Sequence, residues 1–333
     1  MEFILVRYLF CIVFSSLLTF YLVPMFINAA FRFNILDIPD GKIKNHKKAT
    51  PYLGGLAIYV PLIATLAIAY PFENKILWLL LGSTFLLFVG LVDDLKCLKP
   101  YQKLFGQFIA VVCFLKGGFS LKANFFSDFF NIFASGFWML LIINAFNLVD
   151  VMDGLASVLA IIASLSFFII AILLGQYSLG LLLLTFTMPL IVFLFYNRPP
   201  AKIYLGDTGS LYIGGFMAAI PLLFPWSSIS FEGYYAPIII LGIPILEVAT
   251  LVVIRTYKGI PFFRGSPHHF SIYLKKKWSV LKVLIFSAIM SIILSLIAIL
   301  FLFTFISFIY LIIFLLIFLA FWFYFIFSKK TYF

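Results

Sequence analysis

The stretch ILWLLLGSTFLLFVGLVDD, residues 76–94, decides the fold class of this chain. It is apolar over a length that can cross a membrane as a helix, and it ends on two adjacent carboxylates, Asp93 and Asp94. An acid in the middle of a bilayer costs about 2.5 to 3.5 kcal/mol, so acids next to membrane spans are rare and mark functional sites. The stretch therefore predicts both a membrane helix and a polar site at its end.

The composition extends this prediction to the whole chain. Of the 333 residues, 65% are hydrophobic and only 11% are charged, and the mean hydropathy is +1.18. Such values exclude a soluble globular domain. We predict an all-α fold, a polytopic membrane helical bundle that forms a single domain over residues 1–333.

Apolar windows of about 20 residues define the predicted membrane spans. We expect about eleven spans, or ten if the last two are misdivided, because only Phe303 and Thr304 separate those two. The windows cover residues 3–28, 54–70, 76–92, 106–121, 131–148, 154–174, 178–195, 211–224, 234–254, 279–302 and 305–327.

The distribution of charge predicts the orientation. Most of the 23 basic residues follow the odd-numbered windows or lie in the C-terminal tail, and only Arg7, Lys75, Lys116 and Lys122 fall on the other side. By the positive-inside rule the N-terminus is outside, and the basic side and the C-terminus are on the cytoplasmic face of a plasma or inner membrane. The bases are scattered over short loops without a recognition module, which argues against nucleic-acid binding.

The first polar cluster on the predicted cytoplasmic face is GLVDDLKCLKPYQKLFGQ, residues 90–107. Adjacent carboxylates such as Asp93 and Asp94 attract Mg²⁺, and Lys103 offers a positive charge for phosphate. Acids that hold a metal together with bases that bind anions are what phosphate chemistry requires. The alternative is a solvated helix end with two capping acids.

The second cluster is NAFNLVDVMDGLAS, residues 144–157. Asn144, Asn147, Asp150 and Asp153 recur every three residues, so on a helix their oxygens would lie near one face. The following glycine, Gly154, allows a break in the backbone before the sixth window. Helix capping could explain one or two of these side chains.

The third cluster is YLGDTGSLYIGG, residues 204–215. Glycines on both sides of Asp207 let the backbone come close to a ligand, and Thr208 or Ser210 can cap the eighth window. Its N-terminus would then present free N–H groups to an anion. A simple turn with a capping acid is the alternative.

The fourth cluster, RGSPHHFS, covers residues 264–271 and holds two of the three histidines. His268 and His269 are adjacent, which does not match the spacing of zinc ligands on a helix. With Arg264 beside them, we expect contact with an anion or a sugar. An inert loop is the alternative.

Together with DIPDGKIKNHKKATPYLGG, residues 37–55, these clusters resemble the polyprenyl-phosphate N-acetylhexosamine-1-phosphate transferase family, the glycosyltransferase 4 family. The first loop looks like the D-x-P, K-x-H and P-x-x-GG segment of that family. The matching blocks run in family order from about residue 37 to residue 215, and the motif-bearing part extends to about residue 270. The span count resembles the branch of initiating undecaprenyl-phosphate GlcNAc-1-phosphate transferases.

The resemblance implies a reaction at the membrane surface. A sugar-1-phosphate, with GlcNAc-1-phosphate favoured, would pass from a UDP-N-acetylhexosamine to undecaprenyl or another polyprenyl phosphate and release UMP. This would be the first membrane step of a cell-envelope polysaccharide such as O-antigen lipopolysaccharide. The implied cofactor is Mg²⁺, with Mn²⁺ as an alternative ion.

The resemblance also implies roles for individual residues. Asp207 and Asn147 would bind Mg²⁺, Asp93 with Asp94 would act on the lipid phosphate, and Lys103 would hold the diphosphate. Asp93 could act as a base or as an electrostatic organiser. The remaining candidates are assigned to substrate binding, with the two aspartates at the nucleoside end: Lys42, His46, Asn144, Asp150, Asp153, Arg264, His268 and His269.

Two departures from the family pattern leave the sugar open. Val151 stands where the family's D-G-x-D-G has its first glycine, and the late loop has only Pro-His-His-Phe where initiating GlcNAc transferases carry a longer His-x-His-His element. The span count and this loop favour the initiating branch over the phospho-MurNAc-pentapeptide translocase branch, which is kept as an alternative. A homodimer is left open.

Two rivals come from other classes. A CDP-alcohol phosphotransferase is excluded on spacing, because Ser157 and Val158 stand where that family continues with A-R, and no second acidic pair follows. A transporter with an acidic ion site would place ionisable groups at span centres. Here the acids gather at one interface.

Overall fold

The computed structural model describes residues 2–37, 49–70, 73–123, 126–230, 232–261 and 268–327. Within them the protein is a helical bundle with one two-stranded antiparallel hairpin, β1 (Leu36–Asp37) and β2 (Thr50–Pro51). The helices are α1 (Glu2–Arg32), α2 (Gly54–Ala69), α3 (Asn74–Lys96), α4 (Pro100–Lys116), α5 (Asp128–Val149), α6 (Leu155–Leu173), α7 (Tyr177–Asn197), α8 (Gly206–Ala219), α9 (Trp226–Ile229), α10 (Tyr235–Ile240), α11 (Gly242–Tyr257), α12 (Phe270–Lys275), α13 (Val280–Leu302) and α14 (Phe308–Phe327), with a 3₁₀ turn at Ile220–Leu223. The predicted all-α class is confirmed.

Six of these helices are long and apolar enough to cross a membrane: α1, from Ile4 onward, and α3, α5, α6, α7 and α13. Two shorter apolar helices, Gly54–Ala69 and Phe308–Tyr324, add to them. Every predicted window overlaps at least one helix, but the count of about eleven spans stays a prediction.

One predicted window is divided. Residues 234–254 form two helices, α10 and α11, that meet at Leu241. Pro244 explains the break, because it has no N–H to donate to the carbonyl oxygen of Ile240 four residues earlier. The window is therefore not one continuous helix.

Helix α8 is the element around which the site is built. Its residues are buried from Thr208 to Ala219, and it packs against α2, α3 and α5. At Gly90 on α3, a Cβ atom would overlap the carbonyl oxygen of Asp207. The missing side chain at Gly90 thus lets the start of α8 rest directly on α3.

Aromatic contacts hold α8 from its other sides. Tyr212 meets Tyr59 of α2 edge-on, with 5.1 Å between the ring centroids, and Phe216 stacks on Phe186 of α7 at 3.9 Å. Each such pair contributes about 0.5 to 1.5 kcal/mol beyond the burial of its area. The N-terminal residues of α8 are therefore carried on a well-packed helix.

Candidate active site

Lys103 links the first and third polar clusters. Its Nζ atom lies 2.8 Å from Oδ2 of Asp93 and 3.0 Å from Oδ2 of Asp207, so α3, α4 and α8 meet in one ion-pair network. The Lys103 and Asp93 side chains are 17% and 10% exposed, whereas that of Asp207 is 32% exposed. Asp207 is thus the member of the network most open to a ligand.

The two carboxylates keep the lysine charged. Burial lowers the pKa of Lys103, but the negative charges of Asp207 and Asp93 outweigh burial, and the pKa is raised. A protonated amine at this point can bind a phosphate as well as the carboxylates.

The second cluster reaches the same site through Asn147. Its Nδ2 atom donates to Oδ1 of Asp207 and, at 2.9 Å, to the Ser210 hydroxyl. Asn147 lies near the end of α5 and Ser210 one turn into α8, so the packing of these two helices sets this contact. The Asn147 amide therefore binds one carboxylate oxygen of Asp207, and the Lys103 ammonium binds the other.

Asp150 lies just after the end of α5. Burial raises its pKa well above the usual value, and the charges of Asp207, Asp94 and Asp153 raise it further. Four carboxylates near one another repel, and a bound cation would relieve this repulsion. Among the described residues no three His, Cys, Asp or Glu side chains form a metal cluster.

Asp94 has other contacts than those predicted. Its Oδ1 accepts a hydrogen bond from the N–H of Asp207 at 2.9 Å, and its Oδ2 accepts from the N–H of Thr208 at 3.0 Å and from the Thr208 hydroxyl at 2.6 Å. The first-turn N–H groups of α8 were expected to be free for an anion, and Asp94 occupies two of them. The carboxylate caps this helix.

Asn144 is likewise tied to the protein. It forms a reciprocal amide pair with Gln107 of α4, with bonds of 2.8 and 3.2 Å, and also donates to the carbonyl oxygen of Leu140 at 2.7 Å. Gln107 is one turn beyond Lys103, and Asn144 is one turn before Asn147. The pair fastens α4 to α5 beside the site, and the substrate contact expected for Asn144 stays a prediction.

The cluster does not continue as one helix. Asn144 and Asn147 are helical, whereas Asp150 and Asp153 lie in the turn between α5 and α6, so the four do not share a helix face. Gly154, whose φ is 76°, ends this turn and is the N-cap of α6. The φ of Val151 is not positive, so the backbone at this position does not require glycine. Valine can therefore stand where the family has a glycine without backbone strain.

Asp153 anchors a neighbouring loop. Its Oδ2 accepts from the N–H of Ala201 at 3.0 Å. The buried Asn197 supports the same corner, since its Oδ1 accepts from the N–H of Gly154 at 3.0 Å and its Nδ2 donates to the carbonyl oxygen of Ile203 at 2.9 Å. Asn197 carries no motif that would have marked it in the sequence.

The start of α12, at His269 and Ser271, contacts a buried acid that belongs to none of the four polar clusters. Glu247 of α11 is 3% exposed, and its Oε1 accepts from the Ser271 hydroxyl at 3.1 Å and lies 3.7 Å from Nδ1 of His269. His268 contacts Lys258, with 3.4 Å between Nε2 and Nζ, and burial followed by neighbouring positive charges lowers its pKa. The location of Glu247 inside an apolar helix was the available signal.

Three predicted substrate contacts lie outside the described residues: Lys42, His46 and Arg264. Their assignments stay predictions. Strand β1 precedes residues 38–48 and strand β2 follows them. Strand β2 lies beside the site, because the N–H of Tyr204 donates to the carbonyl oxygen of Pro51 at 2.8 Å.

Comparison with known proteins places this site in a family. A model of glycosyl transferase family 4 matches residues 76–224, which include the α3, α5 and α8 clusters. The chain is 31% identical to a probable undecaprenyl-phosphate N-acetylglucosaminyl 1-phosphate transferase of Bacillus subtilis, over 86% of this chain and 84% of the relative.

Relatives with a second name are also similar. A phospho-N-acetylmuramoyl-pentapeptide-transferase of Staphylococcus carnosus is 31% identical over 81% of this chain and 92% of the relative, and one of Staphylococcus aureus is 29% identical over the same shares. Together with its apolar helices, these similarities show a multi-pass membrane protein. The chain belongs to glycosyl transferase family 4, the family that its motifs resemble.

Proposed function

We propose that this protein transfers a sugar-1-phosphate from a UDP-N-acetylhexosamine to undecaprenyl phosphate or another polyprenyl phosphate and releases UMP. An oxygen of the lipid phosphate forms a bond to the β-phosphorus of the UDP-sugar, and the bond between that phosphorus and the oxygen of UMP breaks. The observation that carries this proposal is the Asp93–Lys103–Asp207 network, which joins acids and a base from three helices. The names of both groups of relatives support the same class of reaction.

The residues around Asp207 suit Mg²⁺. Mg²⁺ prefers oxygen ligands and is commonly held by one or two carboxylates together with water and substrate phosphates, so it does not need a cluster of three acids. The partly exposed Asp207 carboxylate and the amide oxygen of Asn147, once its side chain is turned, would supply such ligands. When bound, the ion would neutralise charge on the diphosphate.

The chain's own residues position the two phosphates. We propose that the Lys103 ammonium binds the diphosphate as well as the carboxylates of Asp93 and Asp207, since its three N–H donors can be shared among them. Asp93 would then orient the lipid phosphate, which is already largely ionised near pH 7 and needs little proton removal. Phosphoryl transfer asks the protein mainly for such positioning and charge neutralisation.

N-acetylglucosamine is the favoured sugar. The relative of Bacillus subtilis carries that sugar in its name and is aligned over a larger share of this chain than the pentapeptide transferases. The phospho-N-acetylmuramoyl-pentapeptide is the second candidate, because its transferases reach similar identity. An early step of cell-envelope polysaccharide synthesis suits the first choice.

The membrane arrangement belongs to the same proposal. About eleven spans, an external N-terminus and a cytoplasmic C-terminus would put Asp93, Lys103 and Asp207 on the cytoplasmic face, where UDP-sugars are found. The excess of bases in the loops of that side supports this orientation.

The test is turnover by the purified full-length protein in detergent or lipid with Mg²⁺, polyprenyl phosphate and a panel of UDP-N-acetylhexosamines. UMP should appear only when a UDP-sugar and the lipid phosphate are both present. Asp207→Asn and Asp93→Asn should abolish turnover at unchanged expression, whereas Asp128→Asn, at the opposite end of α5, should not. Lack of UMP across the panel with folded protein would overturn the proposal.

A further inference from the structure

Adjacent aspartates at the end of α3 face different neighbours. Successive residues on a helix point about 100° apart, so two neighbouring carboxylates cannot share one orientation. Asp93 turns to the ammonium of Lys103 on α4, and Asp94 turns to the first turn of α8. The Asp-Asp pair is therefore one ion-pair partner and one helix cap.

The contacts of Asp94 use most of its bonding capacity. A carboxylate has about four acceptor positions, and Asp94 fills three of them with two backbone N–H groups and one hydroxyl, all from Asp207 and Thr208. A negative charge is also favourable at this place, because the N-terminus of a helix carries partial positive charge. A lipid phosphate could reach these oxygens only by displacing the donors of Asp207 and Thr208.

These bonds act on the backbone of the residue whose side chain is at the centre of the site. The N–H of Asp207 is bonded to Asp94, while the Asp207 carboxylate is bonded to Lys103 and Asn147. Fixing the backbone at this residue fixes the direction in which its carboxylate leaves α8.

We propose that Asp94 is a positioning residue, which caps α8 and orients Asp207, and that it does not itself contact the lipid phosphate. This inference rests on the proposed function for the identity of the reaction. It separates the roles of the two aspartates, which the motif alone treats as a unit.

The first readout is metal binding without turnover. Mn²⁺ binding to the full-length protein would be measured by electron paramagnetic resonance in wild type, Asp94→Asn, Thr208→Val and the double variant, with Asp128→Asn as the control. Loss of a residue that supports a metal ligand costs about 10- to 100-fold in affinity, and we expect a loss of that size for Asp94→Asn. Thr208→Val should cost less, and the two effects should not add, because both substitutions act on one contact.

The second readout is hydrogen exchange at the start of α8. Asp94→Asn should speed exchange of the amides of Asp207 and Thr208, while Asp128→Asn should leave them unchanged. Thr208→Val keeps both backbone bonds and serves as the milder variant if Asp94→Asn does not fold.

The outcomes are distinct. Unchanged Mn²⁺ affinity and unchanged amide exchange in Asp94→Asn, with a raised KM for polyprenyl phosphate, would overturn the positioning role and favour direct contact. If wild type binds no Mn²⁺, the metal site of the proposed function fails, but exchange at Asp207 still decides whether Asp94 holds α8.

Discussion

Replacing Lys103 by methionine removes the one positive charge that lies between Asp93 and Asp207 in the described network. Methionine is unbranched and only one atom shorter than lysine, so the change is mainly electrostatic. The two carboxylates would then face each other without a counter-ion. We expect large losses in both turnover and stability from this substitution.

The structure gives the size of each loss. A hydrogen bond to a charged group contributes about 1.5 to 3 kcal/mol, and Lys103 makes two, but the 32% exposure of Asp207 allows water to screen the second. We therefore expect about 2 to 4 kcal/mol of lost stability. Loss of one preorganised donor at a transition state costs about 10²- to 10³-fold in kcat.

The assay is UMP release together with thermal unfolding of the purified variants. Lys96→Met is the matched control, because Lys96 is exposed in the last turn of α3 and lies outside the network. Lys103→Arg keeps the charge and should recover part of the stability. If Lys103→Met retained turnover within about threefold of the Lys96→Met control, the role assigned to the lysine would be wrong.

Three further predictions follow from other contacts. Gly90→Ala should destabilise the protein by about 1 to 3 kcal/mol and lower turnover, since its methyl group would overlap the Asp207 carbonyl oxygen, whereas Gly136→Ala has room; equal melting temperatures would contradict this. Glu247→Leu should leave the Ser271 hydroxyl without its buried acceptor. It should raise the KM for the UDP-sugar more than it lowers kcat. Steady-state kinetics, with Ser271→Ala for comparison, would refute this prediction if KM did not change. Chelation of divalent ions should stop turnover, and added Mg²⁺ or Mn²⁺ should restore it; activity that survives chelation would exclude the proposed metal.

The sequence predicts which residues come together better than it predicts their individual contacts. Apolar windows locate the helices, and motif order predicts that Asp93, Lys103 and Asp207 serve one site. The partners of Asp94 and Asn144 are not predictable in this way. The partner of Asp94 lies on α8 and that of Asn144 lies on α4, and only the packing of the helices brings them into contact.

The misplaced boundaries have local causes. The break between α10 and α11 follows from Pro244, a signal that a hydropathy window averages away. Asp150 and Asp153 do not lie on the helix face of Asn144 and Asn147, because α5 ends at Val149. The break was expected only at the following glycine, Gly154. Glu247 belongs to no motif, and its signal in the sequence is its position as a single acid inside an apolar helix.

The central claim is that phosphate moves together with the sugar. The most direct measurement uses a UDP-N-acetylhexosamine labelled with ³²P at either the α- or the β-phosphate, incubated with the protein, Mg²⁺ and polyprenyl phosphate. The β-label should enter the lipid fraction, and the α-label should stay with water-soluble UMP. Release of the β-label as UDP, or retention of both labels in unreacted nucleotide sugar, would contradict it.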